Sequence, residues 1–516
     1  LGFALGFCMV EPALERTARL FPGRIASAPG HVFAWGKVGG KGGCALPVSK
    51  SAIDREGDCI FPACLGLGAI FLKTSVDEGP FCALDRTGCV WVWHGWAPTF
   101  FPAVPMPLLN DCVDCAAGSG FVVVAKADGS VWMLGKAPAP TPLPDCRNGW
   151  IQIAGTNHGF AAVDACAGVI LAATVDGQLF SCGRGEALGQ DAKVAAAGVE
   201  TLIAIPGLPP VCSFCVGSLQ GACVGRDDGS VWVWGDGLSG NLGTGQRHDN
   251  VTIPMCVPPL RREPEAGDGV EACERAIHVS CTRGQQRPKR NGSRSSFASG
   301  QEGPRCHVVT VEGGLWIAGA CHKGLGADHI GKTLGTSGSD HLVFYRVGGR
   351  AQPVKTVEPV LTGAAEDWRR DPAMAARRMG MADPAVFGTR GNTGYLSGVH
   401  IVSSAPSHIH SLALSKDGRA FAWGCGSDGR TGLAALLRGP GGSKRRLKCY
   451  VSAPSAIEAL EDEGMHVLHL SSGRYWSLAV VGGNVKTPSA LCQNGLTRVR
   501  RVTQMKLMNQ GLSRDS

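Results

Sequence analysis

Long apolar runs and dense charge are both missing from this chain of 516 residues. Its first ten residues, LGFALGFCMV, are apolar or small, but Glu11 ends the run well short of a bilayer span, and no later run is long enough. Charged residues make up 18% of the chain and hydrophobic residues 44%, so a substantial core can form. We therefore expect a soluble protein that does not insert into a membrane.

A secretory signal is also absent, and this bears on the 22 cysteines. Without an oxidising compartment, free thiols are the expected state. Two Cys-x-x-Cys pairs, Cys112 with Cys115 and Cys212 with Cys215, lie in strand-like runs. Strand positions three apart point to opposite faces, so the two sulfurs of a pair cannot easily share a metal. The sequence predicts packed core thiols and no metal site.

Tyrosine is scarce, with 4 residues against 12 tryptophans, and the tryptophans belong to a repeated pattern. Alternating apolar residues lead to Asp-Gly or a related pair, then to alternating aromatic residues and a final glycine. Asp-Gly between alternating hydrophobic residues is the strongest short-range signal for a β-hairpin. Seven copies end at Gly36, Gly95, Gly135, Gly183, Gly235, Gly319 and Gly424.

A further strand is predicted before several of these hairpins. The stretches VCSFCVGS, AIHVSCTRG, VHIVSSAPSHIHS and WIQIAGTNHG precede the hairpins at Gly229, Gly314, Gly418 and Gly177. Each unit is then a small antiparallel sheet that cannot bury both of its faces alone. Such units pack radially in a β-propeller.

The two ends of the chain each carry half of this pattern. GHVFAWG, which ends at Gly36, has no preceding strands of its own, and MHVLHLSSGRYWSLAV, Met465 to Val480, has no following hairpin strand. We predict that Val32 to Trp35 pair with the sheet formed by Val467 to Val480 and so close one ring.

Two stretches, IVSSAPSHIHSLALSKDGRAFAWGCGSDGRTGL and VCSFCVGSLQGACVGRDDGSVWVWGDGLSGNLGTG, resemble repeats of the regulator of chromosome condensation family. The resemblance implies an all-β, seven-bladed propeller of four-stranded antiparallel blades, closed by N- and C-terminal strands and carrying long loop insertions. His158 and His410 occupy the histidine position of the repeat, while Trp476 or a small residue stands there elsewhere. The implied role of the histidine is to hold a turn by hydrogen bonding. No acid or nucleophile accompanies it, so we predict no catalytic site.

The pattern divides the chain into an N-terminal extension (1–30), a propeller (31–481) and a basic C-terminal tail (482–516). Insertions are expected at about 283–305, 326–398 and 433–464. Within the second lies GADHIGKT, Gly326 to Thr333, which has the spacing of a phosphate-binding loop. The helix that such a loop needs is replaced by LGTSGSD, so we predict no phosphate contact at Lys332 and no cofactor.

Basic charge is concentrated outside the repeats. The segments Arg283 to Arg305, Arg438 to Lys448 and Gly482 to Ser516 each carry a net charge of +5, which leaves the rest of the chain net negative. Such segments bind phosphate backbones with little sequence selectivity. The alternatives are solvated loops and contact with an acidic protein. The candidate nucleic-acid-binding residues are Arg287, Lys289, Arg290, Arg294, Lys444, Arg445, Arg446, Lys448, Arg498, Arg500 and Arg501.

The family resemblance offers three classes of function. We predict a non-enzymatic scaffold in an RNA–protein assembly, namely a mitochondrial ribosome or its assembly intermediate, with ribosomal RNA and ribosomal proteins as partners. The chain begins with leucine, as an imported and trimmed mitochondrial protein would; a cytoplasmic or nuclear location is the alternative. The other two classes are a guanine-nucleotide exchange factor for a small GTPase and a structural protein of a microtubule or axonemal assembly.

Overall fold

The structure is a computed structural model, and it describes most of the repeat region. The described residues are 2–37, 58–77, 80–93, 106–137, 140–262, 272–283, 303–320, 341–347, 396, 398–407, 409–426, 429–433, 450–461 and 464–483.

Within these ranges, seven four-stranded antiparallel sheets form the blades of one propeller. Blade 1 contains β3 (Phe71–Val76), β4 (Phe81–Asp85), β5 (Val90–Trp93) and β6 (Met106–Leu109), and blade 2 contains β7 (Cys112–Gly118), β8 (Phe121–Lys126), β9 (Val131–Gly135) and β10 (Cys146–Ala154). Blade 3 contains β11 (Phe160–Cys166), β12 (Val169–Thr174), β13 (Leu179–Gly183) and β14 (Val199–Ala204), and blade 4 contains β15 (Val211–Val216), β16 (Gln220–Gly225), β17 (Val231–Gly237) and β18 (His248–Cys256).

The remaining three blades follow the same order of strands. Blade 5 contains β21 (Ala276–Cys281), β22 (Arg305–Thr310), β23 (Leu315–Gly319) and β24 (His341–Arg346), and blade 6 contains β25 (Ile401–Pro406), β26 (His410–Ser415), β27 (Ala420–Cys425) and β28 (Tyr450–Ala456). Blade 7 contains β29 (Met465–Ser472), β30 (Trp476–Gly483), β1 (His31–Gly36) and β2 (Cys59–Cys64). A separate two-stranded sheet pairs β19 (Leu260–Arg262) with β20 (Ala272–Glu274).

Helical structure is limited to a few short elements beside one longer helix. The long helix α1 spans Gly2–Leu20, and α2 spans Ala192–Ala197. Single turns of 3-10 helix lie at Thr156–His158, Glu186–Leu188 and Glu458–Leu460. In the part of the chain that the structure describes, none of the helices has the length and apolarity needed to cross a bilayer.

The predicted ring closure is confirmed. In blade 7 the first and second strands come from the C-terminal end of the repeats, and the third and fourth come from the N-terminal end. The strand β1 pairs antiparallel with β30, and Val32 lies opposite Val480 while Trp35 lies opposite Ser477. Because separate ends of the chain share one sheet, opening the ring requires breaking a complete strand ladder.

The predicted hairpin turns have a second role, because each one joins its blade to the next. The carbonyl of the turn glycine accepts a hydrogen bond from the first N–H of the next blade's inner strand. The donor and acceptor pairs are Cys112–Gly88, Phe160–Gly129, Val211–Gly177, Ala276–Gly229, Ile401–Gly313, Val467–Gly418 and, through the segment before β1, Phe71–Gly30. All seven inner strands therefore run in the same direction along the channel.

This common direction gives the propeller two different faces. The turn face carries the turns between second and third strands, for example at Asp228–Gly229. The insertion face carries the connections between first and second strands and between third and fourth strands, because neighbouring strands in every blade are antiparallel.

A turn glycine should be sensitive to any added side chain. At Gly129, φ is +85°, and a Cβ atom would lie 2.7 Å from Gly159 Cα in the next blade. We expect Gly129→Ala to lose roughly 1–2 kcal/mol from backbone strain and a further ~1–3 kcal/mol from overpacking. Gly207→Ala is the matched control, because φ is +75° there and nothing lies within 4 Å of the added atom. Urea unfolding should show the larger loss at Gly129, and equal losses would contradict the role of the turn in joining blades.

One strand assignment from the sequence is wrong. WIQIAGTNHG was predicted to be the first strand before the hairpin at Gly177, but its residues 150–154 belong to β10, the outer strand of blade 2. The inner strand of blade 3 is β11, which follows the 3-10 turn at Thr156–His158. Both strands are apolar and end near a glycine, so alternation alone did not separate an outer strand from the inner strand after it.

The expected insertions lie partly outside the described residues and partly within the blades. Residues 284–302, 321–340, 348–395 and 434–449 are outside them. Within the second and third expected insertions, β24 and β28 provide the outer strands of blades 5 and 6. Lys332 is outside the described residues, so the absence of phosphate contact there stays a prediction.

Candidate functional site in the central channel

The inner strands of all seven blades are linked sideways by polar side chains. Each neighbouring pair of strands shares one such hydrogen bond, 2.8 to 3.1 Å long, so the links form a closed belt around the channel. In order around the ring, the linking side chains are Ser75, Asp114, Asp164, Ser213, Ser280 with Ser404, Ser472, and Ser471 with Thr74.

Asp114 is the most strongly coordinated carboxylate in this belt. It lies in β7 with no exposed surface, forms ion pairs with Arg24 at 2.6 Å and with Lys73, and accepts the backbone N–H of Val163 at 2.9 Å. Burial alone would raise the pKa of this carboxyl, but the charges of Lys73 and Arg24 and the hydrogen bonds outweigh it and hold the pKa below its usual range. Asp114 therefore stays ionised and joins two cations that are far apart in sequence.

Asp164 performs the same role one blade further on. Its carboxylate pairs with Arg283 and accepts the N–H of Val216 at 2.9 Å. Arg283 also donates to the carbonyls of Ala165 at 3.1 Å and Ala117 at 3.3 Å, so it crosses the channel from blade 5 to blades 2 and 3. Burial alone would lower the pKa of Arg283. The neighbouring acidic groups, of which Asp164 has the largest effect, outweigh burial and raise the pKa above its usual value.

The N-terminal extension closes the turn-face end of the channel. Helix α1 packs against blade 2 through Val10 and Leu14, and Thr17 donates to the Ala161 carbonyl at 3.2 Å. After the helix, the Arg24 side chain enters the channel, where its guanidinium lies 4.1 Å from the centre of the Phe214 ring and donates to the Phe214 carbonyl at 3.1 Å. The extension is therefore an integral part of the ring.

Between Arg24 and Arg283 the channel contains a polar cavity of about 110 Å³. His278 of β21 and His469 of β29 line it from blades 5 and 7. Burial lowers the pKa of His278 to about 4 and that of His469 to about 3, so both imidazoles are neutral at physiological pH. The site holds fixed cations, hydroxyls and neutral imidazoles, which suits binding.

The cysteine pairs behave as separate core thiols. Cys212 Sγ lies 3.9 Å from the Gly225 carbonyl, whereas Cys215 Sγ lies 3.2 Å from Cys281 Sγ in the next blade. Over the described ranges, no three His, Cys, Asp or Glu side chains are placed to hold a metal ion.

Of the two repeat histidines, only His410 takes the predicted role. It is fully buried, its Nδ1 lies 2.7 Å from Ser407 Oγ, and its Nε2 lies 2.9 Å from Ser477 Oγ in blade 7. The prediction that His158 occupies the equivalent position is wrong. It is exposed in the connection between blades 2 and 3 and packs its ring 4.9 Å from that of Phe180.

All eleven basic residues predicted to bind nucleic acid lie outside the described residues, so their role stays a prediction. The channel residues, by contrast, were missed. A local signal existed at two of them, since CVDCAAG and FAAVDAC each place one aspartate inside an otherwise apolar inner strand. Arg24, Lys73 and Arg283 gave no comparable signal, because only the closed ring brings them together.

Comparison with known proteins agrees with this architecture. The family model of the Regulator of chromosome condensation (RCC1) repeat matches residues 228–284. The chain is 26% identical over 285 residues to the RCC1 domain-containing protein RUG3, mitochondrial, of Arabidopsis thaliana, in a match that covers 50% of this chain and 60% of that protein. The chain thus spans less than two thirds of the relative's length.

Solved structures show the same fold at low sequence identity. Yeast RCC1 (Prp20) bound to Kap60 superposes with a TM-score of 0.61 at 14% identity, covering 92% of this chain and 93% of that one. Prp20p from Saccharomyces cerevisiae, solved in a study that included its binding to Gsp1p and histones, gives 0.60 at 13% identity, with 95% and 97% covered. Human WBSCR16 gives 0.59 at 15% identity, with 89% and 100% covered. Together with the repeated hairpins and the shared closing blade, these matches show that the chain contains a regulator of chromosome condensation repeat at residues 228–284 and has the seven-bladed propeller fold of these structures.

Proposed function

We propose that the protein is a non-enzymatic scaffold that binds RNA within a ribonucleoprotein assembly. The observation that carries the proposal is the position of two basic segments relative to the two faces. The chain leaves blade 5 at Arg283, after the first strand, and returns at Gly303 before the second. It leaves blade 6 at Leu433, after the third strand, and returns at Tyr450 to begin the fourth.

Both connections belong to the insertion face, and the two blades are neighbours. The side chains of Ser280 in blade 5 and Ser404 in blade 6 are hydrogen-bonded at 2.9 Å. The backbone of Arg283 also forms an isolated β-bridge with the backbone of Ser407. The described ends of both basic segments therefore lie on the insertion face of neighbouring blades. The C-terminal tail follows β30, the second strand of its blade, and leaves from the turn face. A phosphate backbone that crosses the insertion face could contact both segments at once.

The relative RUG3 adds support for the compartment, because its name places it in mitochondria. We extend the proposal accordingly to a mitochondrial assembly that contains ribosomal RNA and ribosomal proteins. The channel agrees with a scaffold role, since Arg24 and Arg283 each bond to the inner strands of more than one blade.

Charge removal tests the RNA proposal. We expect the variant Lys444→Gln/Arg445→Gln/Arg446→Gln/Lys448→Gln to bind structured RNA more weakly, with little regard to sequence. If each residue neutralises one phosphate, the slope of log affinity against log salt should become shallower by about 0.7–0.9 for every phosphate that is no longer neutralised. Arg287, Lys289, Arg290 and Arg294 should behave in the same way, and Arg498, Arg500 and Arg501 test the tail separately.

The matched control is Lys416→Gln. Lys416 is exposed and lies in the Asp417–Gly418 turn on the opposite face of blade 6. The control should leave affinity and salt slope unchanged. If all three groups of basic residues can be neutralised without any change in binding, the segments are only solvated loops and the proposal is wrong.

A second candidate is a guanine-nucleotide exchange factor, and the observation that favours it is the fold shared with Prp20p, whose study includes binding to Gsp1p. Purified protein mixed with a panel of GTPases loaded with fluorescent GDP distinguishes the two. Accelerated nucleotide release from one of them would support exchange activity, whereas the scaffold proposal predicts release at the spontaneous rate.

A further inference from the structure

The middle of the ring contains a cavity whose lining is rich in hydrogen-bond donors. Two hydroxyl pairs stand in its wall, Thr74 with Ser471 and Ser280 with Ser404, each with an oxygen–oxygen distance of 2.9 Å. In such a pair one hydroxyl donates to the other, so the second hydroxyl keeps a hydrogen that can point into the cavity. Each pair can therefore offer one donor to a bound group.

Positive charge dominates the lining. Arg24, Lys73 and Arg283 line the cavity, whereas Asp164 is the one carboxylate of the described residues that does. Asp114 lies behind Arg24 and Lys73, and Asp77 lies beyond Arg283, where it accepts hydrogen bonds from Ser119 and the Ala167 N–H. The wall of the cavity itself therefore holds three cations and one carboxylate among the described residues.

An unpartnered imidazole nitrogen provides the second observation. His469 lines the cavity with 8% of its surface exposed, and its Nδ1 atom has no hydrogen-bond partner. Polar atoms this deeply buried are almost always hydrogen-bonded, so one without a partner indicates a group that the site is built to receive. His469 therefore leaves one ring nitrogen available to a bound group.

We propose that this cavity binds a small tetrahedral oxyanion of the phosphate or sulfate class. Such an ion has acceptors in every direction, which matches two hydroxyl pairs and the three cations Arg24, Lys73 and Arg283. The volume of about 110 Å³ is the space of three or four waters at ~30 Å³ each, enough for one such ion and too small for a nucleotide. The ion would join inner strands of blades 1, 5, 6 and 7 and so stabilise the closed ring.

Titration of the whole protein with sodium sulfate, at an ionic strength held constant with sodium chloride, tests the proposal. We expect a saturable rise in melting temperature and a matching calorimetric binding isotherm with sulfate and with inorganic phosphate. AMP at the same concentrations separates a free oxyanion from the phosphate of a nucleotide, and it should produce neither signal. Saturable binding of AMP would overturn the assignment to a free ion.

The variant Ser280→Ala/Ser404→Ala removes one hydroxyl pair, and we expect it to weaken sulfate binding about tenfold or more, because hydrogen bonds to charged groups contribute ~1.5–3 kcal/mol. Ser181→Ala is the matched control, since Ser181 is buried, bonds to Gln190 inside blade 3 and does not line the cavity. If the double variant does not fold, a selenate-soaked crystal of the unmodified protein decides. An anomalous peak beside His469 supports the site, whereas a channel without one, or no saturable sulfate binding, overturns it.

Discussion

Replacing Asp114 with asparagine is expected to lower the free energy of unfolding by roughly 3–5 kcal/mol, because it leaves buried Lys73 without its paired carboxylate and leaves Arg24 only the more distant Asp164 at 4.0 Å. Asp114 has no exposed surface, and the side chains of its partners Arg24 and Lys73 are 11% and 8% exposed. Asparagine fills the same space but carries no negative charge, so the loss measures the ion pairs and not a cavity. Urea unfolding followed by tryptophan fluorescence measures it.

The matched control is Asp145→Asn. Asp145 also joins two cations, Lys136 at 3.0 Å and Arg147 at 2.7 Å, but all three side chains are exposed. Water screens such pairs, so this change should hardly affect stability. Adding Lys73→Met to Asp114→Asn should restore part of the loss, because it removes one of the stranded charges. Equal effects of Asp114→Asn and Asp145→Asn would contradict a structural role for the channel network.

Acidification is expected to destabilise the ring well before its carboxylates protonate. His278 and His469 have folded pKa values of about 4 and about 3, and burial also holds the pKa of His307 well below 6.5. Between 6.5 and those values the unfolded chain binds protons that the folded chain does not. The stability that the protein gains by keeping these imidazoles neutral is therefore fully present above pH 6.5. It is lost as the pH falls, at about 1.4 kcal/mol of unfolding free energy per histidine per pH unit.

At pH 5 the protonation of the unfolded chain at each of the three histidines should have lowered the free energy of unfolding by roughly 2 kcal/mol. Their sum is a large part of the stability of an ordinary domain. Asp77 opposes this trend, because burial raises its pKa and the folded protein therefore binds a proton there at a higher pH than the unfolded chain does. This effect is limited to one proton. Unfolding curves collected from pH 7.5 to 5 measure the slope, and His469→Gln should reduce it by about one third. A stability that stays constant over this range would show that the imidazoles are not held neutral.

The repeated hairpins could be predicted because their signal is local. Asp228–Gly229 and Asp417–Gly418 stand between alternating apolar residues, and both form the expected turns between second and third strands. Ring closure could be predicted because the two half-patterns complement each other. The outer strands could not be assigned as well, since β10 has mostly exposed residues and follows no Asp-Gly turn.

The channel network could not be predicted, because its members are remote in sequence. Arg24 is 90 residues from Asp114, and Arg283 is 119 residues from Asp164. Each cation looks like an ordinary surface residue until the inner strands are placed side by side. The aspartates inside β7 and β11 were detectable anomalies, but nothing local indicated which cations would meet them.

Ultraviolet crosslinking in living cells, followed by affinity purification and sequencing of the bound RNA, tests the central claim most directly. The protein with its native sequence should recover ribosomal RNA in the mitochondrial fraction. The variant neutralised at Lys444, Arg445, Arg446 and Lys448 should recover much less, while the Lys416→Gln control recovers the native amount. Recovery of tubulin or of a GTPase without RNA, or equal RNA recovery by all three proteins, would contradict an RNA-binding scaffold that uses the insertion face.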